Sequence, residues 1–221
     1  MNYKAILCEF IGTFALVFIG VGVIVGDHIN NGTTGLVGIA LAHGLTIAVM
    51  VSAIAAISGG HLNPAVTIGA FVGRKINPGK ALGYIIAQCL GGIVAALLIK
   101  IVIPSKILET IAMGTPMLSS EISAITGVIV EAVLTFFLVF VVFGTGIDRR
   151  APKVGGLFIG LTVTLDILMG GPLTGAAMNP ARHLGPALLG GGFDNLWIYW
   201  VGPMTGGILA GLIYSLFLEE E

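Results

Sequence analysis

Two stretches, SGGHLNPAV beginning at Ser58 and TGAAMNPAR beginning at Thr174, hold most of the groups in this chain that could do chemistry. Each sets small residues ahead of an Asn-Pro-Ala tripeptide: Asn63, Pro64 and Ala65 in the first, Asn179, Pro180 and Ala181 in the second. Asn is a favoured helix N-cap because its side-chain oxygen accepts an orphan backbone N–H. Pro suits the first helical position, where its missing N–H is no loss. Each tripeptide therefore starts a helix, whose N-terminus carries about half a positive elementary charge. Each Asn also keeps an amide NH2 free to donate. Such groups hold a small polar molecule and repel a cation; they do not make or break bonds. No Ser/His/Asp, Cys/His or metal-ligand constellation is visible in the sequence, so no enzyme, metal or cofactor is expected.

The elements that must position these residues are membrane spans. The 221 residues are 56% hydrophobic and only 10% charged, with a mean hydropathy of +1.05, against about 25% charged in soluble domains. A net charge of −1 without a basic patch gives no reason to expect nucleic acid. Cys8 and Cys89 lie in apolar runs and read as small buried hydrophobes. A spanning helix takes about 20 apolar residues, and stretches 6–26, 36–57, 81–103, 122–144, 154–170 and 196–218 fit. The first run starts at once, carries Glu9 and is long enough to span, unlike a cleavable leader. With the N-terminus inside, Lys4, Arg74, Lys75, Lys80, Arg149, Arg150 and Lys153 all collect on the inner face. This predicts a multi-pass membrane protein with both termini cytoplasmic. Segments 58–72 and 172–189 are too short to span and too apolar for ordinary loops. They read as re-entrant, entering from opposite faces. Residues 219–221 read as a solvated acidic tail.

The chain also repeats. GLTIAV at Gly44 answers GLTVTL at Gly160, 116 residues on, the same offset that separates Asn63 from Asn179. EFIGTFALVF at Glu9 answers EAVLTFFLVF at Glu131. The expectation is one all-α channel domain over 1–221, with inverted repeats at roughly 1–103 and 122–221 joined by 104–121. In such repeats the site lies at their interface near the membrane midplane. Both half-helix N-termini then meet there. Before each Asn, the backbone of Gly59, Gly60, His61 and Leu62, and of Gly175, Ala176, Ala177 and Met178, reads as extended. Irregular backbone at that depth must be buried in protein or line a wet cavity. These residues are therefore expected to form a ladder of carbonyl acceptors along a file of water. A single Asn-Pro could merely cap a buried helix; two related copies argue for a pore. Arg182 is costly at membrane depth unless it faces water or a partner. Glu9 and Glu131 are buried carboxylates, which by default suggest a proton relay. Pairs of small residues at Gly156/Gly160, Gly202/Gly206 and Gly207/Gly211 suit close helix contacts.

With EFIGTF, SGGHLNPAVT, NPARHLGPA, WIYWVGP and six spans along its whole length, the chain resembles the aquaporin (major intrinsic protein) family. The resemblance implies six transmembrane helices plus two re-entrant half-helices, one pore per subunit, and usually a homotetramer in the lipid bilayer. It implies passage of water and small neutral solutes, with selectivity set by pore width, an Arg and half-helix dipoles. Counting from the two Asn residues places the family's four filter positions at His43, Ile167, Ala176 and Arg182. This set is similar to that of some plant tonoplast intrinsic channels, which pass water and, variably, ammonia, urea or hydrogen peroxide. The resemblance makes Glu9 and Glu131 scaffolds that hold the re-entrant backbone. The alternatives are a glycerol facilitator and, less favoured, a secondary transporter. Asp166 is left between a filter brace and a subunit interface, and His183 matches neither the water nor the glycerol pattern. Short loops and the lack of a targeting extension suggest a microbial plasma membrane.

Overall fold

The structure, a computed structural model, describes residues 2–151 and 154–218. The expected inner-face cation Lys153 and the expected tail at 219–221 lie outside the described residues. In chain order the helices are α1 (Tyr3–Ile29), α2 (Gly35–Ser58), α3 (Pro64–Val72), α4 (Pro78–Val102), α5 (Ser105–Thr110), α6 (Ala124–Val142), α7 (Gly155–Thr174), α8 (Pro180–Gly190) and α9 (Ile198–Ile213). Wider π turns extend α6 through Phe143–Ile147 and α9 through Tyr214–Leu218. Six of these helical stretches are long and apolar enough to cross a membrane. Even the 20 residues of α7 span about 30 Å at 1.5 Å per residue, matching a bilayer's hydrocarbon core. The chain is thus an integral, multi-pass membrane protein. Large apolar side chains such as Ile101, Val49 and Leu165 point outward, as lipid-facing positions require.

Close approach, more than side-chain bulk, holds the bundle together, because lipid offers no hydrophobic incentive for helices to associate. Each expected pair of small residues makes such a contact. A Cβ added at Gly156 or Gly160 would run into Ser52, Ala48 and Gly44, so that pair seats α7 on α2. Gly202 and Gly206 seat α9 on Glu131 and Ala132 of α6. Gly207 and Gly211 press α9 onto Ala65 and Gly69 of α3. In the other direction, Gly185 of α8 meets Gly92 of α4. Each half-helix is therefore clamped by a spanning helix from the opposite half of the chain: α3 by α9, α8 by α4.

Span ends shift from expectation by a few residues, most at the end of α7, and the connecting segment differs in character. α7 runs on through Pro172 to Thr174, so the second re-entrant segment starts at Gly175 instead of 172. The stop comes from the cap, not the proline: Gly175 turns left-handed (φ 78°) and its N–H bonds the Gly171 carbonyl at 3.0 Å. α2 ends the same way at Gly59, φ 100°. The 104–121 connection is no passive linker, since it folds into α5 and a tight turn at Ala112–Gly114. The backbone N–H of Ser119 then bonds Leu173 at 2.8 Å, fastening the connection to the end of α7.

Candidate functional site

The site begins with the two Asn caps. Asn63 is extended (φ −155°) and its Oδ1 accepts the N–H of Ala65 at 2.8 Å. Asn179 (φ −142°) accepts from Ala181 at 3.0 Å and Arg182 at 3.1 Å. Their amide groups reach across to each other's segments. Asn63 Nδ2 donates to the Met178 carbonyl at 2.9 Å, and Asn179 Nδ2 donates to the Leu62 carbonyl at 2.8 Å. The N-termini of α3 and α8 therefore face one another. Each amide, expected to be wholly free, has one N–H committed to the opposite segment and one left over. Both Asn side chains line the same narrow lumen.

The segments before the caps hold a strained backbone. Leu62 (φ 53°), Ala176 (φ 46°) and Met178 (φ 51°) are left-handed without being glycine, which costs roughly 1–3 kcal/mol each. Two buried carboxylates hold them there. Glu9 accepts the N–H groups of His61 (3.0 Å) and Leu62 (2.6 Å) and the Ser58 hydroxyl (2.7 Å). Glu131 accepts those of Ala177 (2.9 Å) and Met178 (2.7 Å) and the Thr174 hydroxyl (2.7 Å). Tyr84 and Tyr199 complete the pattern by donating to the Ser58 and Thr174 carbonyls at 2.6 and 2.7 Å. Glu9 has one partner that Glu131 lacks: Gln88 Nε2 bonds it at 2.8 Å and also Thr67 at 2.9 Å.

Not every expected ladder residue reaches the lumen. Gly60, His61, Ala176, Ala177 and Met178 line it. The Leu62 carbonyl does not serve water, because Thr13 Oγ1 (3.1 Å) and Asn179 occupy both of its lone pairs. Gly59 opens onto the vestibule below, and Gly175 packs against Pro116 instead. Both are left-handed helix caps, and with Gly60, Leu62, Ala176 and Met178 also at positive φ the two segments alternate in and out of the left-handed region and are not extended as expected.

His43, Ile167, Ala176 and Arg182 line one lumen together, all four buried. Arg182 donates from Nη1 to the Gly114 carbonyl at 3.0 Å, and its Nη2 lies 3.3 Å from His43 Nε2. Because a guanidinium only donates, Nε2 must be the acceptor. The ring proton is then on Nδ1, which donates to the Ile39 carbonyl at 2.8 Å. Both nitrogens of His43 are thus already engaged. The Gly114 carbonyl was illegible in the sequence as a site group. It is aimed by three consecutive left-handed residues, Ala112 (44°), Met113 (54°) and Gly114 (66°). The Gly-Thr-Pro turn at 114–116 was the only cue available.

The opposite wall is hydrocarbon: Ile47, Val51, Leu138, Val142, Ile159 and Val163. The lumen encloses only about 30 Å³, room for a few water-sized molecules in file, since one water needs about 10–15 Å³ on this measure. It opens past His61 into a vestibule of about 1170 Å³ that carries Lys75, Lys80, Arg149 and Arg150. There Arg150 grips Asp148 at 2.6 and 3.0 Å, Tyr214 donates to the same carboxylate at 3.0 Å, and Arg150 also bonds the Leu218 carbonyl at 2.9 Å. The Arg150 guanidinium holds the Asp148 carboxyl well below the usual carboxylate range.

Two residues left open by the sequence stay outside this network. His183 is fully buried, stacked on Tyr199 with centroids 3.9 Å apart, and no well-formed hydrogen bond reaches its nitrogens among the described residues. Asp166 is buried in α7 with one carboxylate oxygen unpartnered among the described residues. It makes no hydrogen bond to His43, Ile167, Ala176 or Arg182.

Known proteins match this chain closely. The family description "Major intrinsic protein" matches residues 1–214. Aquaporin TIP4-4 of Zea mays is 44% identical over 98% of this chain and 88% of its own length. Aquaporin TIP2-3 of Arabidopsis thaliana is 46% identical over 97% and 87%. The X-ray structure of the aquaglyceroporin from Plasmodium falciparum superposes with a TM-score of 0.84 at 27% identity, covering 99% of this chain and 97% of that one. With a family match over almost every residue and the same fold in a solved relative, the chain belongs to the major intrinsic protein family.

Proposed function

We propose that this protein is a passive channel for water and small neutral solutes that excludes ions and protons, and that it is not an enzyme. The observation that carries the reading is the reciprocal pair of Asn–carbonyl bonds, which sets two helix N-termini against one lumen. A cation there meets both positive helix ends and Arg182, while a water finds the remaining Asn donors and the carbonyls beside them. Few polar groups along an apolar wall let molecules pass without being held. His43, Ile167, Ala176 and Arg182 act as the filter, and Glu9 and Glu131 as scaffolds of the re-entrant backbone. The matched bonds of Glu9 with Glu131, Tyr84 with Tyr199 and Asn63 with Asn179 support reading the chain as one domain of two inverted repeats.

Three finer points belong to the same proposal. The basic residues around one vestibule support an inner, cytoplasmic face there, with both termini on that side. Family membership supports reading the channel as a homotetramer. The plant sources of the two aquaporin relatives lend no support to the expected microbial plasma membrane. The function is therefore proposed without a compartment.

The structural likeness to an aquaglyceroporin favours glycerol as the second candidate solute. Ile167 and Ala176 supply no aromatic wedge for a glycerol backbone. Water, ammonia, urea or hydrogen peroxide should accordingly pass more readily than glycerol. Swelling and uptake rates of reconstituted liposomes, compared for these solutes in one preparation, test the reading. Ile167→His with His43→Phe should suppress solute flux while sparing water. Glycerol flux equal to that of water, or ion current in the native channel, would refute it.

A further inference from the structure

We infer that Gly20 of α1 sets the width of the filter by giving the His43 ring the space it occupies. This rests on reading His43 and Arg182 as filter residues. The His43 ring lies edge-on against the α1 backbone: a Cβ at Gly20 would overlap Nε2 and stand 2.8 Å from Cδ2 and 3.0 Å from Cε1. The ring cannot simply swing away. Nδ1 is tied to Ile39 in its own helix and Nε2 to Arg182 across the lumen. A methyl group at position 20 must break one of those contacts or drive the imidazole toward Ile167 and Ala176.

Helix stability does not explain this glycine, since Ala is the better helix former at an ordinary helical position. Its neighbours in α1 sharpen the point: added Cβ atoms at Gly22 and Gly26 meet nothing within 4 Å. Only at Gly20, among these three, does a missing side chain make room for a filter group. The same helix also backs the other anchor of Arg182, because a Cβ on Gly114 would meet Ile24 at 3.1 Å and Val21 at 3.5 Å. α1 is therefore the wall that positions both partners of Arg182, although Gly20 itself touches no permeating molecule. It is a positioning residue for selectivity.

The test compares Gly20→Ala, Gly22→Ala, His43→Ala and Gly20→Ala/His43→Ala in liposomes, reading water, hydrogen peroxide and urea fluxes per folded channel. Gly20→Ala should lower the solute fluxes several-fold more than water, and Gly22→Ala should leave every ratio unchanged. His43→Ala should raise solute flux, and the double variant should match it, because the ring that clashed is gone. Unchanged ratios in Gly20→Ala overturn the inference. So does a double variant that is misfolded or as restrictive as Gly20→Ala, since the defect would then not run through the ring. If His43→Ala itself leaves solute flux unchanged, the filter reading fails and the inference with it. If His43→Ala widens the pore while Gly20→Ala is silent, only the inference fails.

Discussion

Replacing Glu131 with Gln removes a charge and one acceptor oxygen while keeping the shape. Glu131 satisfies the Thr174 hydroxyl and Ala177 N–H with one oxygen and the Met178 N–H with the other. Turned either way, the amide points an NH2 at a group that also donates. The cheaper orientation sacrifices only Met178. One buried N–H left without an acceptor costs about 1–3 kcal/mol, and the two surviving bonds lose their charge assistance. Met178 is also held left-handed at φ 51°, so releasing it lets the backbone relax and withdraws the carbonyl that Asn63 binds. At about 2–4 °C per kcal/mol for a chain of this size, the apparent melting temperature in detergent should drop by roughly 2–12 °C. Water flux per folded channel should fall with it. A proton-relay role predicts otherwise: unchanged stability with an altered pH dependence of transport. A Glu131→Gln channel that melts within a degree of the parent and conducts water normally would refute the scaffold argument.

Asn179→Asp keeps an oxygen for the Ala181 and Arg182 N–H groups but cannot donate to Leu62, and it sets a carboxylate against both helix ends. Measurable sodium or proton leak in liposomes is expected; an ion-tight, folded variant with that group ionised counts against the electrostatic account. Ala176→Cys places a thiol in the lumen, so mercurials should block its water flux while the parent, whose free Cys8 and Cys89 are not among the lumen-lining residues, stays largely insensitive. A folded, conducting and mercury-resistant cysteine variant would show that Ala176 is not at the constriction. The Asp148 tether carries a pH dependence of definite sign. Its carboxyl is depressed by Arg150 in the folded state, so its contribution is present above the unfolded value of about 3.9 and is lost as pH falls below it. Acid should therefore loosen the ends of α6 and α9 beside the vestibule, read as faster hydrogen exchange around Tyr214. Asp148→Asn should remove that acid-side step.

Much of this site could be read from the chain because its logic is local or repeated. An Asn before a Pro declares its own cap, whatever surrounds it. Glu9 and Glu131 stand out because they fall at matching places in similar stretches, and the four proposed filter positions come from the family resemblance, counted from the two Asn residues. What stayed hidden depends on distant parts meeting in space. Arg182 finds its acceptor 68 residues away in Gly114, inside a stretch whose composition suggests only a connection. Gly20 resembles any other glycine in an apolar helix until the His43 ring is seen against it. The end of α7 is masked in the sequence because Pro172 is the louder breaker there, while the left-handed cap at Gly175 does the stopping.

The crossed Asn–carbonyl bonds also constrain how the protein is made. Asn63 binds Met178 and Asn179 binds Leu62, partners separated by 115 and 117 positions. At synthesis rates of about 5–20 residues per second, the first re-entrant segment exists for on the order of ten seconds before its latch has been translated. During that interval Glu9, Ser58, Tyr84 and Gln88 are the fasteners already made. The extra Gln88 bond to Glu9, which has no equivalent at Glu131, therefore falls on the half that must wait. A ribosome stalled after the third span would leave a half-channel with a donor and a carbonyl exposed at membrane depth, a state the insertion machinery must shelter until the second half arrives.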